Sequence, residues 1–228
     1  MKNLYKQITS LVFVGLLTAA CSTWNQPKSV TAEKLLGTAI DTVAAFRSHE
    51  DLGKFGPELD NAHAVVILPT VIKAGFFAGG EGGNGVLLKH NSDGSWSYPA
   101  YFTLGAASFG LQFGVQDTAI VLIVRNAAAL ESLLKHQGKI GADAGATIWV
   151  EGIGMEASTT TNFGADILAF ASSNVGGFLG ASLEGAVLAT RRDLNEAFYG
   201  EGADPLGILN GQYTNPIADN LRRYLDQK

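Results

Sequence analysis

The sequence predicts an α+β, β-rich single domain. Bent antiparallel strands form a curled sheet or barrel, flanked by an N-terminal helix, one or two short helices and a C-terminal helix. Three observations predict it. Ala74 to Gly114 holds ten glycines in 41 residues, with Phe76, Phe77, Val86, Leu87, Leu88, Tyr101, Phe102, Phe109 and Phe113 between them. Such apolar residues suit a pleated, half-buried surface, and glycines inside it mark bends, bulges or places where another backbone comes close. The runs Ala62 to Leu68 and Thr118 to Val124 are continuous apolar stretches of strand length, whereas Thr31 to Ser48 and the segment after Asn215 repeat apolar residues at the helical period.

The first element is a leader, residues 1–20. Lys2 and Lys6 precede an apolar run from Ile8 to Leu17, which is shorter than the ~20 residues a membrane span needs. Leu17-Thr18-Ala19-Ala20-Cys21 resembles the bacterial lipoprotein box, with Leu one place further from the Cys than usual. Two readings stand: lipidation at Cys21, or an ordinary signal peptide with a free cysteine. Cys21 is the only cysteine, so neither an intrachain disulfide nor a cysteine zinc site can form. Ser22 after the Cys implies, by the bacterial sorting pattern, an anchor at the periplasmic face of the outer membrane. Residues 21–30 read as a tether, and 31–228 as the domain.

The whole chain carries a formal charge of −5, and without residues 1–20 a formal −7. That argues against general nucleic-acid binding, which needs a basic footprint.

Within the domain, Thr31 is the expected N-cap of a helix running to Ser48. Leu35, Leu36, Ala39, Ile40, Val43 and Phe46 form its apolar stripe. The stripe either packs on the core or inserts reversibly into a membrane surface. Ser48 to Asp51 reads as a solvated loop. Ala62 to Leu68 is a buried strand ended by Pro69. Three or four bent strands then fill the glycine-rich stretch, with turns at Gly80 to Gly85 and at Asn91 to Gly94. After the strand Thr118 to Val124 comes a short helix, Ala127 to His136, with Leu130, Leu133 and Leu134 inward. Further strands are expected in Gly141 to Glu151, Thr159 to Ser172 and Phe178 to Thr190. Arg191 to Tyr199 is a short helix, and Asn215-Pro216 starts the last one.

The residues offer little for catalysis. Gly80 to Gly85 satisfies G-x-G-x-x-G, but Val86 to Lys89 continues as a strand where a dinucleotide site requires a helix. His49, His63, His90 and His136 lack metal-ligand spacing, and Ser108 lies outside any G-x-S-x-G. Asp143 and Glu184 stand in apolar surroundings, with Arg125 and Arg191 as candidate partners. No enzyme activity, cofactor or metal is expected.

A series of motifs in order carries a family resemblance. They are Ile67-Leu68-Pro69, Lys73-Ala74-Gly75-Phe76, Gly85-Val86-Leu87, Trp96-Ser97-Tyr98-Pro99-Ala100, Gly110-Leu111-Gln112-Phe113-Gly114, Gly141-Ala142-Asp143-Ala144, Gly177 to Gly185, and Asn195 to Gly200. The chain resembles the SYLF domain family, the Ysc-type lipid-binding and actin-binding domain, over about residues 31–200. The resemblance implies a compact β-rich domain that binds membrane phospholipid. In eukaryotic relatives the lipids are phosphoinositides, an amphipathic N-terminal helix aids insertion, and some members bind actin filaments. For this chain it implies binding to anionic phospholipid, with a structural or protein-interaction role in the envelope as the alternative. The expected lipid-binding residues are Lys34, Arg47 and Lys73, with Phe76 and Phe77 as insertable aromatics. Arg222 and Arg223 are expected to be solvated charges on the polar face of the last helix.

Overall fold

The computed structural model describes residues 26–135, 148–152, 166–172, 183 and 186–227; for 74–78, 107–116, 135, 148–149 and 151–152 the description is of the backbone alone. The leader, Cys21, His136, Asp143, Gly177 and Glu184 lie outside the described residues. Thirteen elements follow in order. They are α1 (Lys28–Ser48), a 3-10 turn (Glu50–Leu52), α2 (Phe55–Asp60), β1 (Ala64–Lys89), β2 (Ala100–Val124), α3 (Ala127–Lys135), β3 (Ile148–Gly152), β4 (Ile167–Ala171), β5 (Val187–Thr190), α4 (Arg192–Tyr199), α5 (Pro205–Leu209), a 3-10 turn (Pro216–Ala218) and α6 (Asp219–Leu225).

The expected three or four central strands are two. β1 has 26 residues and β2 has 25, against the usual 3–10. They pair antiparallel from Ala64↔Val124 to Leu87↔Ala100. Pro69 does not end the first strand. It lacks the N–H a ladder requires, and the register slips between Leu68 and Val71 to accommodate it. The expected turn at Gly80 to Gly85 is likewise strand, with Gly82 opposite Gly105. The other expected turn, at Asn91 to Gly94, is the turn of the hairpin, closed by Asn91 N–H to the Ser95 carbonyl at 2.8 Å.

The glycines serve close approach. β1 doubles back, so that its second half crosses the backbone of its first. A Cβ at Gly83 would overlap the Thr70 carbonyl and lie 2.9 Å from the Val71 Cα, and one at Gly85 would overlap the Ile67 carbonyl. Only glycine fits where two backbones are this near. A second irregularity, between Gly75 and Phe77, helps turn the ribbon.

Five described strands make one sheet, with β1-β2-β4-β3 as its order and β5 also on β2. The sheet is curled and, among the described residues, not closed into a barrel. β4 pairs with Ile120 to Val124 and β5 with Phe102 to Gly105, so they take separate stretches of β2. β3 and β4 pair parallel, a departure from the all-antiparallel expectation.

Alternation along the strands gives two cores. Val66, Leu68, Phe102 and Leu122 face one, closed by α3 and α5. Val65, Ile67, Tyr101, Val121 and Ile123 face the other, beneath α1, α2, α4 and α6. Each fully buried aliphatic side chain contributes roughly 1.5–3 kcal/mol. All of these core residues lie between Ala32 and Leu225.

The N-terminal helix starts at Lys28, earlier than expected. Thr31 is not its cap: it sits in the first turn, and its hydroxyl donates to the Pro27 carbonyl at 3.4 Å. Proline fixes φ ahead of the first turn and so can open a helix without a side-chain cap. Of the two readings of its apolar stripe, core packing is what the structure has. Ala32, Leu36, Ala39, Val43 and Phe46 are buried, with the Phe46 ring 5.4 Å edge-on from Phe55. At the other end, Asn215 caps as expected, accepting from Ile217 N–H at 3.1 Å. The helices α2 and α5 were not foreseen, being too short to show a period.

Candidate functional site

The long ladder places two uncharged stretches side by side. Residues 74–80 (AGFFAGG) and 106–116 (AASFGLQFGVQ) contain no ionisable side chain. The register sets Phe77 opposite Gly110 and Ala78 opposite Phe109. Between the segments held by β5 and β4, residues 106–118 of β2 have β1 as their one partner strand among the described residues.

Charges stand at both ends of this stretch. At one end Lys73 lies opposite Gln116 and Ile72 opposite Asp117; at the other Glu81 lies opposite Ala106. Ile72 is half exposed, at 50%, unusual for so large an aliphatic. Burial holds the Lys73 ammonium below the usual lysine value, while the Glu81 carboxylate acts in the opposite sense. Lys73 also has an interaction of its own. Glu81 is buried, and its Oε1 has no hydrogen-bond partner among the described residues, a costly arrangement for a carboxylate.

The expected lipid-binding residues fall in three settings. Lys34 is exposed on α1, with Nζ 3.2 Å from Gln26 Oε1. Arg47 is half-buried, and its Nη2 pairs with Asp60 Oδ1 at 3.0 Å. Lys73 flanks the uncharged ladder. The backbones of Phe76 and Phe77 lie in β1, and their side chains are outside the description. Two other expectations need correction. Arg222 is not a solvated charge: its Nε donates to the Trp96 carbonyl at 2.8 Å, its Nη1 meets Asp219 at 2.9 Å, and its guanidinium lies 4.2 Å over the Tyr98 ring. A guanidinium stacks readily on an aromatic face, which the sequence period cannot anticipate. Arg223 beside it is exposed, as expected. Arg125 and Arg191, expected to serve Asp143 and Glu184, have described partners elsewhere: Arg125 meets Glu58 at 3.6 Å and Arg191 meets Asp193 at 2.8 Å.

Sequence reasoning missed Glu81 as a buried charge, and it left residues 106–116 out of the site. The lack of charge in the second was legible, but this chain has longer uncharged runs, 94–116 and 167–183 among them, so it marked no site by itself. No group of three or more His, Cys, Asp or Glu could hold a metal among the described residues, and no described helix is long and apolar enough to cross a membrane.

Comparison with known proteins adds to this geometry. A family model described as Ysc84, Las17-binding protein actin regulator, matches residues 105–228. An SH3 domain-containing protein of Schizosaccharomyces pombe is 35% identical over 173 residues, which is 75% of this chain and 40% of that protein. Protein YSC84 of Saccharomyces cerevisiae is 32% identical over 173 residues, 75% of this chain and 37% of that one. SH3 domain-containing YSC84-like protein 1 of Homo sapiens is 30% identical over 160 residues, 69% of this chain and 46% of that one. The chain thus spans less than half the length of these curated relatives.

Proposed function

Since this chain belongs to the Ysc84 family, also called the SYLF domain family, we propose that it is a non-catalytic module binding anionic phospholipid, held to the membrane by a lipid at Cys21 on the periplasmic face of the outer membrane. The observation that carries the lipid reading is the uncharged ladder of residues 74–80 and 106–116, with Lys73 at its end. An aromatic, charge-free two-stranded segment is able to enter the apolar boundary of a bilayer, and its paired backbone groups lower the cost of doing so. A lysine at its edge meets the headgroups, contributing about 1 kcal/mol near an anionic surface. Lys34 on α1 adds to the same attraction. Arg47, already paired with Asp60, contributes less.

Vesicle flotation of the chain from Ser22 onward tests this. The protein floats with phosphatidylserine-containing vesicles and less with pure phosphatidylcholine. Phe77→Asp and Phe109→Asp abolish flotation, and Lys73→Glu weakens it on anionic vesicles only. Wild-type protein that floats on no composition sinks the reading.

A second reading is a protein-interaction module of the envelope. It is favoured by the family description, which names a Las17-binding actin regulator. Absence of flotation together with capture of a specific envelope protein supports it.

A further inference from the structure

The groove between α3 and α5 lies outside the proposed membrane-facing ladder. It has a cavity volume of about 470 Å³. Leu130 and Leu209 form its buried floor, and Leu134 and Leu206 its sides. Leu206 is 57% exposed, the most exposed of the large apolar side chains among the described residues. Lys89, His63 and Asn210 stand at the rim.

The walls are held in place before any ligand arrives. The Asn126 Oδ1 caps α3 through Ala129 N–H at 2.8 Å, and its Nδ2 donates to Asp166 at 2.6 Å. The Asp204 Oδ1 caps α5 through Gly207 N–H at 3.0 Å. Lys89 is fixed by Asn210, with Nζ 2.8 Å from its Oδ1. Asn210 is neutral, so this contact positions the ammonium without neutralising it, and no carboxylate pairs with Lys89 among the described residues. Glu131 also lines the groove, and it has an interaction of its own.

The size selects against a helical peptide. One turn of α-helix, ~5.4 Å of rise at a diameter of ~10 Å, fills about 420 Å³. The groove therefore holds no more than one turn, too little for the two or three anchors an amphipathic helix uses. It lies instead in the range of small-molecule sites, which are apolar with a few placed polar groups.

We propose that this groove binds a long-chain fatty acid, its alkyl chain along Leu130, Leu134, Leu206 and Leu209 and its carboxylate at Lys89. The carboxylate accepts from the Lys89 ammonium, and Asn210 holds that ammonium in position. The apolar chain covers Leu206. The inference does not depend on the ladder meeting a membrane.

The test is titration of the chain from Ser22 onward with cis-parinaric acid, followed by fluorescence, with oleic acid and oleyl alcohol as competitors. Saturable binding of one molecule per chain is expected, with oleyl alcohol competing at least fivefold less well than oleic acid. Lys89→Glu weakens binding at least fivefold, and Ala127→Trp, which fills the groove, abolishes it. Leu206→Ser, at an exposed position that leaves the core intact, also weakens it. Ala127→Trp keeps wild-type vesicle flotation. No saturable binding overturns the proposal. So does binding that survives both Lys89→Glu and Leu206→Ser, or that is lost only with Phe77→Asp.

Discussion

The backbone N–H of His90, the first residue after β1, donates to the carbonyl of His63, the last residue before it, at 2.9 Å. A strand of 26 residues therefore begins and ends at one place. Extended, it would span more than 80 Å at about 3.3 Å per residue. The return is possible because β1 bends at its irregular registers and passes its own backbone at Gly83 and Gly85.

Filling those crossings destabilises the fold. Gly83→Ala and Gly85→Ala are each expected to cost about 1–3 kcal/mol, the range for overpacking, and more if the carbonyl of Thr70 or Ile67 cannot shift. Gly105→Ala is the control, since a Cβ there meets nothing within 4 Å. Urea denaturation of the three variants checks it, and equal midpoints would mean that β1 does not cross itself.

Asn195 ties α4 to the sheet. It is fully buried, its Oδ1 accepts from Tyr101 N–H at 2.8 Å, and its Nδ2 donates to the Tyr101 carbonyl at 3.2 Å. Asn195→Leu leaves the Tyr101 N–H buried and unsatisfied, at about 1–3 kcal/mol, while the Tyr101 carbonyl keeps the Arg191 N–H at 3.0 Å. Asn195→Asp retains the acceptor, and its second oxygen can donate to the Tyr101 carbonyl only when protonated. Thermal midpoints should fall in the order wild type, Asp, Leu at a pH low enough to protonate the introduced carboxyl.

Arg222 and Arg223 separate in a stability assay. Arg222→Ala removes the Trp96 bond, the Asp219 pair and the stacking on Tyr98, and is expected to cost about 1–3 kcal/mol. Arg223→Ala, at an exposed position, is expected to stay within about 0.5 kcal/mol. Equal midpoints would return Arg222 to the solvated role the sequence predicts.

Asp193 makes part of the stability depend on acid. The Arg191 guanidinium, hydrogen-bonded to its carboxylate, holds the Asp193 pKa well below the ordinary range, and Lys28 at 3.3 Å adds to this. An acid depressed on folding gives stability above its unfolded pKa of ~3.9 and loses it as pH falls through the folded value. Asp193→Asn should therefore melt below wild type at pH 7, and the gap should narrow as pH is lowered below about 4. A gap that is constant down to pH 2 would show that the carboxylate charge is not what holds α1 to α4.

The sequence by itself determined what nearest neighbours decide. The continuous apolar runs Ala62 to Leu68 and Thr118 to Val124 mark two buried strands. The helical period marks Leu36, Val43 and Phe46 as one stripe, and Asn215-Pro216 marks where the chain begins its last helical segment. Each is set within a few residues by rotamers, φ preferences and capping, so each is legible without the fold. The absence of charge across residues 106–116 was legible too, but not its meaning, because it becomes a surface only when the ladder lays it against residues 74–80. Tertiary structure alone decided that Gly83 and Gly85 are crossings and not a turn. It also decided that Arg47 meets Asp60, that Arg222 reaches Trp96 across 126 positions of sequence, and that Lys89 ends at an apolar groove beside Asn210. The Arg222 and Lys89 pairings depend on how far a bent ribbon returns on itself. That distance is a sum of small bends and twists along fifty residues, which no local pattern records.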